Sequence, residues 1–186
     1  IWLEKEDLAG LPESSIEAAR TAAKEKGKDG YLITLAAPSY RPFMQYSSRR
    51  DLREKLYKMY NSRNTSGEFS NIEIMSQIAD KRRQLANIFG YKTFAEYKLS
   101  HTMAQNSQNV YNLLNNLRDA YLPAQKNEMK ELEKFASTLE GKKVKIEAWD
   151  YSYYFNKLKD NKFDLNDEIL RPYFELNNVI DGVFGL

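Results

Sequence analysis

The sequence predicts a mainly α-helical protein that carries one small two-stranded β ribbon near residues 31–46. Apolar residues recur at steps of three and four along most of the chain, the spacing that lines one face of a helix. Start and stop residues punctuate these runs, with Ser, Thr, Asp or Asn at the openings and Gly27, Gly90 and Gly141 at the ends. The string Tyr-Leu-Ile-Thr-Leu at residues 31–35 breaks the helical pattern, and it favours a strand.

Pro12 suits a first helical turn and Gly27 the stop, so residues 12–26 form a helix with Ile16, Ala19 and Ala23 on one face. Residues 31–35 and 43–46 are then expected to pair across the turn-like Pro38-Ser39-Tyr40-Arg41-Pro42. Two strands alone are marginal in water, so the ribbon must lie on helices or pair with other chain. Ser47 or Ser48 is expected to cap a helix to about Arg63, with Asp51 completing a capping box and Leu52, Leu56, Met59 and Tyr60 buried. After the loop 64–67, Asn71 opens a helix carrying Met75, Ile78, Ala79, Leu85, Ala86 and Phe89. Thr93 and Glu96 form a capping box for a short helix bearing Phe94, Tyr97 and Leu99.

Ser107 begins the longest element, with Val110, Leu114, Leu117, Tyr121 and Ala124 on one stripe that continues through Leu132, Phe135 and Leu139. About 30 residues make a rod ~45 Å long, and Pro123 should kink or interrupt it. The stripe reads as a helix packed in a globular core rather than a free coiled coil. Lys142, Lys143 and Lys145 alternate with Val144 and Ile146 as a weak strand or extended linker. Asp150 is placed as the N-cap of a helix over 151–160, putting Tyr151, Tyr154, Phe155 and Leu158 near one face. Asn166 caps a short helix ending at Arg171 before Pro172, and Asn177 starts the last helix, which terminates in Val183, Phe184 and Leu186. The opening on Ile1 and the apolar end suggest an excised piece of a longer chain.

Lys and Arg number 28 against 26 Asp and Glu, a net charge of +2, with the signs interspersed. That excludes the concentrated basic face of a nucleic-acid binder. The clusters Arg49, Arg50, Arg53 and Lys81, Arg82, Arg83 fall among carboxylates and read as solvated helix faces. With no cysteine there is no disulfide or thiolate site, and no apolar run is long enough to span a membrane.

Catalytic constellations are missing. One histidine, His101, cannot supply the two imidazoles, four residues apart, that a helix-borne zinc peptidase needs. Nor can it serve a nucleophile, for there is neither a cysteine nor a Gly-x-Ser-x-Gly turn. Gly27-Lys28-Asp29-Gly30 precedes a strand rather than a helix, the wrong order for a phosphate cradle. Carboxylates such as Asp164, Asp167, Glu168 and Glu175 default to surface roles, and the 13 tyrosines to core packing. No catalytic, cofactor-binding or metal-binding residue is assigned.

Several short strings, taken in order, resemble one family. They are Leu8-Ala9-Gly10-Leu11-Pro12; Tyr60-Asn61-Ser62-Arg63; Arg83 with Leu85-Ala86; and Phe89-Gly90-Tyr91 followed by Phe94-Ala95-Glu96-Tyr97, Leu99 and Met103-Ala104. Trp149-Asp150 with Tyr153-Tyr154, then Phe163-Asp164-Leu165, then Leu170-Arg171-Pro172-Tyr173-Phe174-Glu175-Leu176 with Val179, Gly182 and Phe184 continue the series. Together they resemble the thimet-oligopeptidase family of zinc peptidases, and within it most of all the bacterial peptidyl-dipeptidase (dipeptidyl carboxypeptidase) branch. The resemblance implies part of a mainly α-helical, neurolysin-like zincin architecture, two lobes closing a channel around short peptides. It also implies a parent zinc metallopeptidase, with one zinc held by His-Glu-x-x-His and a downstream Glu, that releases C-terminal dipeptides.

None of those motif residues has a counterpart here. Residues 1–186 are therefore expected to be the helical segment of a larger metallopeptidase that precedes its zinc-binding part, inactive alone. Its implied partners are short peptide substrates and the remaining catalytic half of the same chain, with no nucleic acid and no membrane. The implied compartment is the cytoplasm, with the periplasm as the alternative. Tyr40, Arg41, Tyr151 and Tyr153 are the residues considered for facing a peptide, and a packing or surface role is the reading favoured for each. A stand-alone helical interaction module is the alternative function, and a relative with a degenerate metal site a weaker one.

Overall fold

Trp2–Leu3 (β1) and Tyr31–Leu32 (β2) pair antiparallel, Trp2 opposite Leu32 and Leu3 opposite Tyr31. One further bond, from Ile33 N–H to the Ile1 carbonyl at 2.9 Å, extends the ladder. The structure, a computed structural model, describes residues 1–164 and 170–185. Its chain divides into two units, Ile1–Tyr60 with Leu132–Leu186, and Asn61–Glu131. The expected Asn166 cap, Leu165, Asp167, Glu168 and the apolar end at Leu186 lie outside the described residues.

The protein is mainly α with one small ribbon, and the ribbon's second strand is not where the sequence suggested. Residues 43–46, expected as a strand, belong to the helix Ala37–Tyr46 (α2). Pro38 sits in its first turn, where no helical N–H is needed, so only Pro42 removes a bond. Ser39 Oγ accepts the Thr34 N–H at 3.0 Å and fixes the entry. The deciding term is burial: on a helix Phe43 and Met44 both reach the core, at 0% and 5% exposure, whereas alternation on a strand would send one of them to solvent.

In the first unit, Glu13–Glu25 (α1), α2 and Arg50–Asn61 (α3) enclose a core of Leu3, Leu8, Leu11, Ala19, Ile33, Phe43, Met44 and Leu56. Gly10 lets the entry segment approach the C-terminal end of α2. Its φ is +88°, and a Cβ there would lie 2.4 Å from the Tyr46 carbonyl oxygen. Ser48 does not cap α3 as expected; its N–H and hydroxyl both bond the Ala9 carbonyl, at 2.9 and 3.0 Å, and the helix starts at Arg50. Tyr151–Phe163 (α7) packs on α2. Leu176–Phe184 (α8) follows a short 3-10 turn, Arg171–Tyr173, and is capped by Glu175, which accepts the Asn178 N–H at 3.0 Å. The expected start at Asn177 moves because a carboxylate two residues ahead is the stronger acceptor.

The second unit holds Ile72–Ile88 (α4), Phe94–Leu99 (α5) and most of Ser107–Glu140 (α6), which runs on into the first unit. α5 packs on α4, and its Thr93 cap forms as the spacing predicts, with Glu96 reaching back to the Lys92 N–H. α6 is not interrupted at Pro123, whose missing bond falls on a solvent-exposed face. The expected buried stripes are a different matter. Ala86 is fully buried, but Ile78, Leu85, Leu114, Leu117 and Tyr121 are exposed.

Candidate functional site

Two helical faces of the first unit meet at a cleft of about 400 Å³. Residues one, four and five apart lie along one side of a helix. On α2 this places Tyr40, Arg41, Met44 and Gln45 on the cleft, and on α7 Tyr151, Ser152, Phe155, Asn156 and Lys159, with Ala148 at its edge. Tyr151 and Phe155 stack at 5.6 Å between ring centroids and are half exposed. Tyr40 stacks on Tyr60 at 4.2 Å. Across the floor, Gln45 Nε2 donates to Asn156 Oδ1 at 2.9 Å.

Three of the four residues considered for facing a peptide, Tyr40, Arg41 and Tyr151, thus share one cleft. Tyr153 is elsewhere, 7% exposed under the Arg53 guanidinium, which lies 4.1 Å from its ring centroid. The expected single face of α7 splits: Tyr154 is buried, while Tyr151 and Phe155 line the cleft. Phe155 was placed on the Tyr151 face but not considered for facing a peptide, and Lys159 and the Gln45–Asn156 pair were not singled out, although Tyr151, Phe155 and Lys159 stand four residues apart and share a face.

What orients α7 is a buried ion cluster at its start. Asp150 was expected as the helix cap, but its side chain caps nothing. It is fully buried and accepts Arg50 Nε and Nη2 at 3.0 and 2.6 Å, Arg53 Nη2 at 2.9 Å and the Glu147 N–H at 3.2 Å. Arg53 also donates to the Ser47 and Trp149 carbonyls at 2.7 and 3.2 Å. The reading of Arg49, Arg50 and Arg53 as a solvated face is therefore corrected at Arg53, which is 1% exposed. Its partner lies 97 residues along the chain, beyond the reach of any local pattern. Burial pushes the Asp150 carboxyl up, and the Arg50, Arg53 and Glu147 hydrogen bonds outweigh it, leaving the group below the ordinary carboxylate value.

Behind the cluster a second cleft, of about 390 Å³, holds Arg50, Lys142, Lys143 and Lys145 with Glu140 and Glu147. Tyr154 Oη donates to Glu140 Oε1 there at 3.1 Å. Burial first, and the Glu140 charge second, push its phenol up to about 12.

The zinc site implied by resemblance does not fit these residues. Among the described residues no three His, Cys, Asp or Glu side chains converge as metal ligands. His101 lies in the second unit, edge-on to Tyr97 at 6.1 Å.

Comparison with known proteins bears on what this framework belongs to. The model of peptidase family M3 matches residues 43–186. Oligopeptidase A of Haemophilus influenzae is 38% identical over 97% of this chain and 27% of its own length. Oligopeptidase A of Escherichia coli is 36% identical over 97% of the chain and 27% of its own. Dipeptidyl carboxypeptidase of Escherichia coli is 29% identical over 95% of the chain and 26% of its own. The chain spans about a quarter of the length of these curated relatives. The match begins just after Tyr40 and Arg41 and takes in the rest of the α2–α7 cleft and the whole Asp150 cluster, and the chain belongs to peptidase family M3.

Proposed function

We propose that this chain is a peptide-contacting, non-catalytic segment of a zinc-dependent oligopeptidase that hydrolyses short peptides. The observation that carries the reading is the M3 family match over residues 43–186, supported by relatives named for oligopeptidase and dipeptidyl carboxypeptidase activity. Zinc and the groups that hold it belong to other parts of the parent protein, and no chemical step runs through this segment. Its contribution is to shape and charge a wall against which a peptide lies. Release of C-terminal dipeptides is the finer reading, carried by the ordered strings above. Internal cleavage is the competing outcome, favoured by the higher identity to oligopeptidase A. The parent is proposed to work in the cytoplasm, with the periplasm as the alternative.

The test is hydrolysis of a set of six- to ten-residue peptides (about that length) by the full-length parent, with and without a chelator. Chelator-sensitive cleavage is expected, and mass spectrometry of the products separates dipeptide release from internal cuts. A parent without hydrolysis overturns the reading. So does chelator-sensitive hydrolysis by the isolated 186-residue chain.

A further inference from the structure

The α2–α7 cleft combines a preformed aromatic wall with a cation that lacks a partner among the described residues. Of the arginines in residues 1–60, Arg20 pairs with Glu17, Arg49 with Asp7 and Asp51, and Arg50 and Arg53 with Asp150. Arg41 is the exception, making no hydrogen bond or ion pair with any described residue. It lines the cleft together with Lys159, and among the described residues no carboxylate lines it with them. A guanidinium presents two parallel N–H donors that match a carboxylate. The Tyr151 and Phe155 rings offer an apolar, half-exposed surface beside it. Asn156, 6% exposed and held by Gln45, fixes the floor between the two helices.

We propose that this cleft is a recognition site for a peptide that presents a carboxylate to Arg41 and an apolar side chain to Tyr151 and Phe155. The carboxylate can come from the peptide's own C-terminus or from an Asp or Glu next to an apolar residue. Both present the same two oxygens. That such a peptide is also the substrate rests on the peptidase reading above; the binding itself does not.

Calorimetry on the chelator-treated full-length parent, where no turnover intrudes, measures binding of four short peptides sharing one apolar core. They carry a free or amidated C-terminus, each with Glu or Gln beside the apolar residue. The preferred source is the one whose neutralisation weakens binding, by about tenfold for one charge-assisted contact. Arg41→Gln should lose the same factor for the charged peptide and nothing for its neutral counterpart, and Arg41→Lys should recover part of it. Phe155→Ala should weaken both peptides alike. Arg41 is exposed and pairs with no described residue, so its variants are expected to unfold at the wild-type midpoint, which separates lost binding from lost structure.

Equal affinity of the Arg41→Gln and wild-type proteins for all four peptides overturns the proposal. So does binding by the 186-residue chain that disappears in the parent, because the rest of the parent would then occupy the cleft. If chelated parent binds with this Arg41 dependence yet metal-loaded parent cleaves nothing, the peptidase reading fails and the recognition site stands.

Discussion

At the scale of single residues, the energetics concentrate at Arg53 and Asp150. Both are buried, and each satisfies its hydrogen-bonding capacity through the other and through backbone groups. Removing one partner strands a buried charge, which costs far more than the pair contributes. Arg53→Met should therefore destabilise the chain by about 3–5 kcal/mol in urea unfolding. Arg50→Met should cost distinctly less, because the Arg50 side chain is half exposed. The same carboxylate gives a pH dependence. Its folded-state pKa is depressed, so its contribution is fully present above the unfolded value of about 3.9 and is lost as pH falls through the lower folded value. Unfolding midpoints followed downward from pH 5 should show that acid-side loss, and Asp150→Asn should flatten it. Gly10 makes a separate prediction. A side chain at φ +88° is strained and its Cβ meets the Tyr46 carbonyl, so Gly10→Ala should cost at least about 1–3 kcal/mol by the same measurement.

Element by element, the helices were legible where a side chain had only a local task. Thr93 accepts the Glu96 N–H at 3.1 Å, as its spacing predicts, since nothing distant competes for it. Thr93→Ala should remove that cap and about 1 kcal/mol of local stability. Faster hydrogen exchange at the Glu96 and Tyr97 amides, with α1 unchanged, is the expected readout; uniform exchange across both helices would contradict a local role. Ser48 and Asp150 looked like caps of equal quality but were claimed by partners far along the chain, Ala9 and the two arginines. The α2 helix was hidden for a related reason. Its two prolines and β-favouring neighbours speak for a turn and a strand, whereas burial of both Phe43 and Met44 is a tertiary demand. The cleft was half legible: Tyr40, Arg41 and Tyr151 were singled out, but not that α2 would be a helix presenting the first two toward the third.

For the molecule as a whole, the question is what the exposed apolar surface does. In the second unit Ile74, Ile78 and Leu85 on α4 and Leu113, Leu114 and Leu117 on α6 are each more than 40% exposed. In the first unit Leu176, Val183 and Phe184 of α8 reach 61–84%. The periodicity that marked these positions as core is real, and it formed the helices. What it could not specify is which chain supplies the opposite face. Large apolar side chains left exposed in such number mark interaction sites or association, and a nine-residue helix such as α8 is too short to be stable without packing. The isolated chain should therefore self-associate, its sedimentation coefficient rising with concentration. Val183→Glu combined with Phe184→Glu should shift that rise to higher concentration, because each carboxylate would have to be desolvated in the contact. The full-length parent, whose relatives are roughly four times as long as this chain, should show no such dependence on residues 183 and 184 if its own remainder covers them. A strictly monomeric isolated chain at the highest concentrations would mean that the α8 face is tolerated in water, and would remove the argument that it is an interface.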